Sequence, residues 1–461
     1  MLSEGRRRLL ASLAAAPLAA SLAGCGIVAR SRTAPDDTPA GARLAATRLA
    51  KLEHQWARTA WRYIENNTDY DSGLVAGSDR GVTFTAWNAG DTIAALVAAR
   101  ELEIIDAREF DLRLGRVLGF LAAMDLSKGM LPNKAYSVAS GKMVNFGNRD
   151  EDIGWSAVDV GRLLLWLRIT GQRHPAFREY TDRVVLRWSF CEVLDDCGVL
   201  YGTQRNGSQW QRYQEGRLGY EQLAGAGYAA WGFNARRSVE LPPMQQANIH
   251  GIAVHYDARD PRTSGAQNPV LTMPWALLGM EVGWQVPTHG AAWKEIADEV
   301  MRVQEERWRR EKLLTARSDY QMREAPYVVL DSVFAAGYAW NTIGSDGKEY
   351  EKLALVATRA AFAMWALWPG DYSQRLVDSV QRLYDPDRGW FEGRFEAGGA
   401  PHANLTLNTN AAVLEALLFK VTGSFYTLET TPGHFELRTR DTFARMNRCW
   451  PAERGACTAA R

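Results

Sequence analysis

The chain lacks the marks of most nucleotide, metal and nucleic-acid chemistries. Its formal net charge is +1 over 461 residues, so there is no basic surface field to gather nucleic acid. The one basic run, Arg302 to Arg310 with Lys312, is interleaved with Glu305, Glu306 and Glu311. Mixed signs at helical spacing read as a solvated face. No Gly-x-Ser-x-Gly elbow, phosphate-cradling glycine loop or His-Glu-x-x-His pair occurs, which removes the serine-hydrolase, nucleotide and zinc-peptidase templates. Asp69-Tyr-Asp71-Ser-Gly73 resembles the start of a calcium loop, but its twelfth position is Arg80, where a bidentate Glu is required. A plain turn is the better reading, and no metal or cofactor is expected. Beyond residue 25, no segment is long and apolar enough to span a bilayer.

Cysteine is scarce as well, with five in the chain. Cys25 closes Leu22-Ala23-Gly24-Cys25, which matches the bacterial lipobox. It follows a basic Arg6-Arg7-Arg8 and the short apolar run Leu9 to Leu22. Acyl chains on Cys25 would anchor the protein without a spanning helix. Gly26, not Asp, follows it, so the expected location is the periplasmic face of the outer membrane. Arg6-Arg7-Arg8 also fits a twin-arginine export signal. Residues 1–25 read as a lipoprotein signal peptide and 26–44, with Pro35 and Pro39, as a flexible tether. One large domain is expected over 45–430 and a C-terminal tail over 431–461. Cys191, Cys197, Cys449 and Cys457 can pair in an oxidising periplasm. Three connectivities are open; the local pairs Cys191–Cys197 and Cys449–Cys457 close the shortest loops.

What is present is a returning turn, Asp-x-x-Gly-apolar, followed by an apolar helix. It appears at Asp69–Gly73, Asp125–Gly129, Asp196–Gly198 and Asp385–Gly389. Asp supplies a side-chain acceptor and Gly a positive φ. Twelve helical segments follow from the 3.6-residue apolar pattern, starting near 41, 86, 106, 152, 174, 220, 272, 289, 327, 349, 371 and 405. Six are apolar or rich in Gly and Ala: 87–104, 152–170, 220–233, 272–283, 327–341 and 405–421. The others carry charge around much of their surface. Apolar helices belong inside and mixed ones outside, which predicts an all-α (α/α)6 toroid. Strict alternation fails in this reading between the helices at 220 and 272, and again between 349 and 371. A small β excursion is expected within 239–270. The uneven spacing of the turns argues against an α-solenoid scaffold, which would keep a fixed period.

Toroids of this kind commonly carry a carbohydrate cleft where the inner helices begin, a fold-level analogy. The 17 Trp, many at helix starts, suit the C–H faces of sugars. Asn148-Arg-Asp150-Glu151-Asp152-Ile-Gly-Trp155 is the densest acidic cluster ahead of an apolar helix. Repulsion there would raise one pKa, as a general acid needs, while the helix dipole keeps a neighbour ionised. Asp159 lies one to two turns deeper, where it would hold the cluster or a basic partner. Glu221 and Glu324 open two further helices. Asp91, one turn after Trp87, needs a partner or a ligand. Asn404, Asn408 and Asn410 crowd the start of the last helix. For each of these residues the competing reading is helix capping or core packing.

Phe84-Thr-Ala-Trp87-Asn-Ala-Gly-Asp91, Asp152-Ile-Gly-Trp155, Gln214-Glu-Gly-Arg-Leu-Gly-Tyr220-Glu221, Ala325-Pro-Tyr327 and Leu405-Thr-Leu-Asn408-Thr-Asn410-Ala resemble a bacterial envelope family, domain of unknown function 3131. The resemblance covers roughly residues 50 to 425. That family is similar in organisation to glycoamylase-like and β-1,2-glucanase toroids and often accompanies exopolysaccharide genes. The resemblance assigns no catalytic residue, so the roles rest on the residues themselves. Glycoside hydrolysis needs one protonated and one ionised carboxyl. Glu151 or Asp152 is expected as one and Glu221 or Glu324 as the other, with an inverting outcome favoured by analogy. Trp87, Asp91, Asp150, Trp155, Tyr220, Tyr327 and Asn408 are expected to bind substrate. The expectation is a periplasmic lipoprotein that binds and hydrolyses a β-linked glucan or exopolysaccharide. The alternative is a non-catalytic polysaccharide-binding or secretion-accessory lipoprotein, acting with exopolysaccharide machinery.

Overall fold

Helices whose apolar residues run all the way round end up inside, and those with one apolar stripe end up outside. In the computed structural model, residues 49–260, 262, 268–429, 434–440 and 447–458 are described. The chain passes through α1 (Lys51–Asn67), α2 (Ala86–Glu101), α3 (Ala107–Ala123), α4 (Ala157–Arg173), α5 (Arg178–Val185) and α6 (Tyr220–Ala230). It continues through α7 (Arg236–Val239), α8 (Thr272–Leu277, prolonged by a π turn at Leu278–Val282), α9 (Gly290–Glu311), α10 (Thr358–Leu367), α11 (Asp371–Val380) and α12 (Leu407–Thr422). Even-numbered helices touch in the order α2, α4, α6, α8, α10, α12 and back to α2. Each odd-numbered helix packs outside its even-numbered neighbour. The ring closes, so the architecture is an (α/α)6 toroid and not an open solenoid.

α2 is buried along nearly its whole length, from Ala86 to Ala99 except Trp87. α3 buries only Phe110, Leu114, Val117, Leu118 and Leu121, a single stripe. Inner helices approach closely where glycines allow it. A Cβ on Gly227 of α6 would fall 1.9 Å from the Gly161 carbonyl oxygen of α4, so only glycine fits.

Four of the links from an outer to an inner helix carry the returning turn. Asp69 accepts from the Ser72 amide at 2.8 Å and Asp385 from the Asp387 amide at 3.0 Å, while in the third turn the acceptor is Asp195 and not the expected Asp196, taking the Cys197 amide at 2.9 Å. Gly73, Gly129, Gly198 and Gly389 all take positive φ. These turns mark one face of the toroid, where outer helices end and inner helices begin.

At the centre lies Arg162 of α4, 1% exposed. It pairs with Asp91 of α2, with Glu281 of the π turn at 2.8 Å and with Glu415 of α12 at 3.0 Å. Burial raises the pKa of Asp91 and, with Glu281 beside it, raises that of Glu415 well above the carboxylate range.

Several expectations are corrected. No helix spans 327–341: Val328–Asp331 and Thr342–Gly344 are strands, joined by the short hairpin of Phe334–Ala335 and Tyr338–Ala339. Asp331 is fixed there by Arg317 at 3.1 Å and by the Leu355 amide at 2.8 Å. The fifth inner helix is instead α10, and α7 supplies the outer helix missing between 220 and 272. Strict alternation is thereby restored. α4 begins at Ala157, capped by Ser156, and not at Asp152. The excursion expected in 239–270 is a hairpin, Met244–Ile249 with Ile252–Asp257. The described parts of the tail pack on the domain, with Phe435 edge-on to Trp231 at 4.6 Å and Trp450 buried. All four expected cysteines are in disulfides, but the pairs are Cys191–Cys449 and Cys197–Cys457. The returning tail, whose Arg454 donates to the Leu194 carbonyl at 2.6 Å, brings the paired cysteines to Cα separations of 5.0 and 4.6 Å. Cys25, the signal peptide and the tether lie outside the described residues. No helix among the described residues is long and apolar enough to cross a membrane.

Candidate functional site

Five inner helices open onto one cavity of about 450 Å³. α2 contributes Trp87 and Asn88, α4 Asp159, α6 Tyr220, α10 Arg359 and α12 Asn408. Caps fix these helix starts. Thr85 accepts from the Asn88 amide and Asn88 Oδ1 from the Thr85 amide, both at 3.1 Å, a reciprocal box. Thr406 accepts from the Thr409 amide at 3.2 Å and donates to buried Glu392. Asn88 Nδ2 then donates to Asn408 Oδ1 at 3.1 Å and ties α2 to α12.

At α4 the cap comes partly from another element. Ser156 accepts from the Asp159 amide at 3.1 Å and donates to Glu215 Oε1 at 2.7 Å, while the Ala157 amide donates to Glu215 Oε2 at 2.5 Å. Glu215 lies between the strand Gln209–Gln214 and α6. It sets a carboxylate beside Asp159. Burial, then Glu215, pushes the Asp159 carboxyl up to about 7, against Ser156 and the charges of Arg217 and Lys134. The helix-start dipole favours the ionised form; burial outweighs it. Burial also raises the pKa of Glu215.

Across the ring stands Asp319, in the strand Asp319–Gln321 beside α10, the helix opposite α4 in the ring order. Its Oδ1 accepts from Tyr220 Oη at 2.9 Å, from Ser318 Oγ at 2.9 Å and from Arg359 at 2.8 Å. Burial pushes Asp319 up, but Arg359, Arg217 and these bonds outweigh it and hold the carboxyl below its usual value. Oδ2 has no hydrogen-bond partner among the described residues. One cavity therefore holds one carboxyl with a raised pKa and one with a lowered pKa.

Aromatic edges frame the mouth. Phe146 is 69% exposed on the wall, and Trp87 packs edge-on to Tyr220 at 5.3 Å. Arg162 lies 4.4 Å from the Trp87 ring, so the floor stands on the central ion cluster. Two other hollows lack this pairing. One of about 320 Å³ between α1, α2 and α3 is lined by no buried carboxylate. One of about 910 Å³ around Trp340 holds Glu396, which is locked by Arg317 at 2.8 Å and Arg307 at 3.2 Å.

Of the residues expected to bind substrate, Trp87, Tyr220 and Asn408 line the cavity. Asp91 lies beneath it in the Arg162 cluster. Asp150 is exposed, 3.7 Å from Lys142. Trp155 is fully buried, its indole donating to the Tyr201 carbonyl at 3.1 Å. Tyr327 is 62% exposed in a tight turn with φ +58°. None of the four residues expected to be catalytic lines the cavity. Glu151 accepts from Asn145 at 2.7 Å at the surface, and Asp152 accepts from the Lys128 amide at 3.0 Å in a loop ahead of α4. Glu221 is buried in an ion pair with Arg259 at 2.6 Å. Glu324 is exposed and opens no helix, since a strand follows at Val328. The residues that do meet, Asp159, Glu215, Asp319 and Arg359, come from four elements. The only sequence signal for any of them was Asp159 below the acidic cluster and Glu215 inside the motif before Tyr220.

Residues 55–423 match the family model described as "Protein of unknown function (DUF3131)". No curated protein matches the sequence. Among solved structures, the chain is similar to an endo-β-1,2-glucanase from Chitinophaga pinensis in complex with sophorotriose and glucose. The TM-score is 0.58 at 13% identity, covering 81% of this chain and 93% of that one. It is also similar to a glucoamylase-like protein from Bacteroides uniformis ATCC 8492, with TM-score 0.60, 13% identity and 82% and 94% covered. An endo-β-1,2-glucanase from Talaromyces funiculosus with sophorose gives 0.54, 12%, 82% and 84%. At these identities the likeness establishes the shared fold.

Proposed function

The chain belongs to the DUF3131 family of proteins of unknown function, and on that premise we propose that it is a periplasmic lipoprotein that binds and hydrolyses a β-linked glucan or exopolysaccharide. The observation that carries this reading is the pair of carboxyls in opposed charge states across one cavity, Asp159 near 7 and Asp319 held ionised. Asp159 gives its proton to the glycosidic oxygen as the C1–O bond breaks. Asp319 Oδ2 takes a proton from a water molecule as the water oxygen bonds C1 from the other side, and the anomeric centre inverts. Trp87 and Phe146 offer apolar faces to sugar rings, and Asn88 and Asn408 offer amides to hydroxyls. The solved structures that share the fold include complexes with sophorotriose and sophorose, which supports a β-linked gluco-oligosaccharide.

Two disulfides suit an oxidising compartment and support export. The lipid anchor rests on Leu22-Ala23-Gly24-Cys25. The experiment is release of reducing ends from β-1,2-glucan and a panel of bacterial glucans by the purified domain. Protein that binds a glucan but never releases reducing ends overturns the hydrolase and leaves the accessory lipoprotein.

A further inference from the structure

We propose that Arg217 binds an acidic group carried by the saccharide, so that the cavity takes an anionic glycan in preference to a neutral one. The proposal rests on the reading of this cavity as a glycan site.

Arg217 lines the cavity from the segment that leads into α6. Among the described residues its guanidinium makes no ion pair and no side-chain hydrogen bond; its one recorded contact is with the Tyr220 ring at 5.6 Å. The other cations around the cavity are engaged. Arg359 pairs with Asp319 at 2.8 Å, and Lys134 approaches Tyr213 Oη at 3.3 Å. The charge of Arg217 reaches Asp159, Glu215 and Asp319, yet none of these carboxyls comes within ion-pair distance. Arg217 is only part-buried and its nitrogens open onto the cavity, so its N–H donors are accessible to an anionic group that enters there. The two arginines with the most carboxyl partners show the contrast: Arg162 is met by three carboxyls and Arg317 by Asp331 and Glu396. Arg217 is left for a ligand.

A second observation points to the same ligand charge. The N-termini of α2, α4, α6, α10 and α12 converge on this cavity. Each contributes a partial positive charge. A planar fork of N–H donors matches a carboxylate bidentately and a phosphate nearly as well. The shared chemistry is an anionic oxygen group on a sugar, and a uronate carboxylate is the planar match.

The test is calorimetric titration of the purified wild-type domain with glucose, glucuronate and glucose 6-phosphate, repeated with Arg217→Gln. Glucuronate is expected to bind at least about tenfold more tightly than glucose, the scale of one charge-assisted pair. In Arg217→Gln that preference should vanish while the melting temperature holds. Tighter binding of glucose 6-phosphate, also lost in Arg217→Gln, supports the anion site and assigns it to a phosphorylated sugar. Equal affinity for glucose and glucuronate in the wild type overturns the proposal, as does a preference that survives Arg217→Gln. If β-1,2-glucan is cleaved and glucuronate gains nothing, the anion site fails and the hydrolase stands. If none of the sugars binds and no glucan is cleaved, both fail.

Discussion

Glu215 accepts a 2.7 Å hydrogen bond from Ser156, the cap of the helix that carries Asp159. The carboxyl that fixes the start of α4 thus adds to burial, the larger cause, in raising its neighbour's pKa. Asp159 sits at about 7 instead of the ordinary 3.8. As a general acid it must be protonated, so kcat/KM should fall as pH rises through 7. Asp159→Asn should cut turnover by roughly 10² to 10⁴, the usual scale for such a group. Glu215→Gln keeps an acceptor for the cap but removes the negative charge, so the alkaline limb should move to lower pH. The same sign governs stability. Asp159 stabilises the fold fully below 3.8, and that contribution is lost as pH rises through 7. A pH–rate profile on Glu215→Gln that coincides with wild type would remove Asp159 as the acid.

The Arg162 cluster makes a separate prediction. One guanidinium faces the carboxyls of Asp91, Glu281 and Glu415, all buried. Removing it leaves them without a counter-charge, which typically costs about 3–5 kcal/mol. Arg162→Met should therefore unfold at much lower denaturant at pH 7. The pKa values of Asp91 and Glu415 are already raised, so protonation relieves the repulsion and the deficit should shrink as pH falls. Denaturant titrations at pH 7 and pH 5 measure this. A deficit that grows at pH 5 would contradict the account.

What the sequence discloses is what local chemistry writes into it. The Asp–Gly turns are legible because a side-chain acceptor and a positive φ are needed within five residues of each other. Five inner helices are legible because they are apolar on every side. The run 327–341 is apolar too, but its strands depend on pairing with Asp319–Gln321 and on the Arg317–Asp331 pair. Those partners lie close by in sequence, but apolar periodicity does not register a strand pairing or an ion pair. The site divides the same way. Trp87, Tyr220 and Asn408 sit at helix starts, where a reading by periodicity looks. Asp319 and Arg359 are 40 residues apart and meet only through the closed ring. Glu221 misleads because an acidic residue in a first helical turn looks the same whether it faces a cavity or Arg259.

Anchoring is tested by Cys25→Ser. With no acyl chains the protein should move from the outer-membrane fraction to the soluble periplasm, or remain uncleaved, since no described helix spans a membrane. Fractionation identical to wild type would discard the lipoprotein.

The disulfides give the last prediction. Cys191–Cys449 closes a loop of 258 residues, for which chain entropy yields roughly 5 kcal/mol. Once that loop is closed, Cys197–Cys457 adds only a ring of about 16 residues, on the order of 3 kcal/mol. The two bridges are therefore unequal in the order in which they are removed. Losing either one alone should cost the smaller amount, because the survivor still closes the long loop. Losing both should cost markedly more than twice that. Cys449→Ser and Cys457→Ser, singly and together, with melting and denaturant curves, measure the difference. In the double variant trypsin should also cut at Arg448 and Arg454, where Arg454 now holds the Leu194 carbonyl. Additive losses and an uncut tail would mean that packing of Trp450, and not the bridges, retains the C-terminus.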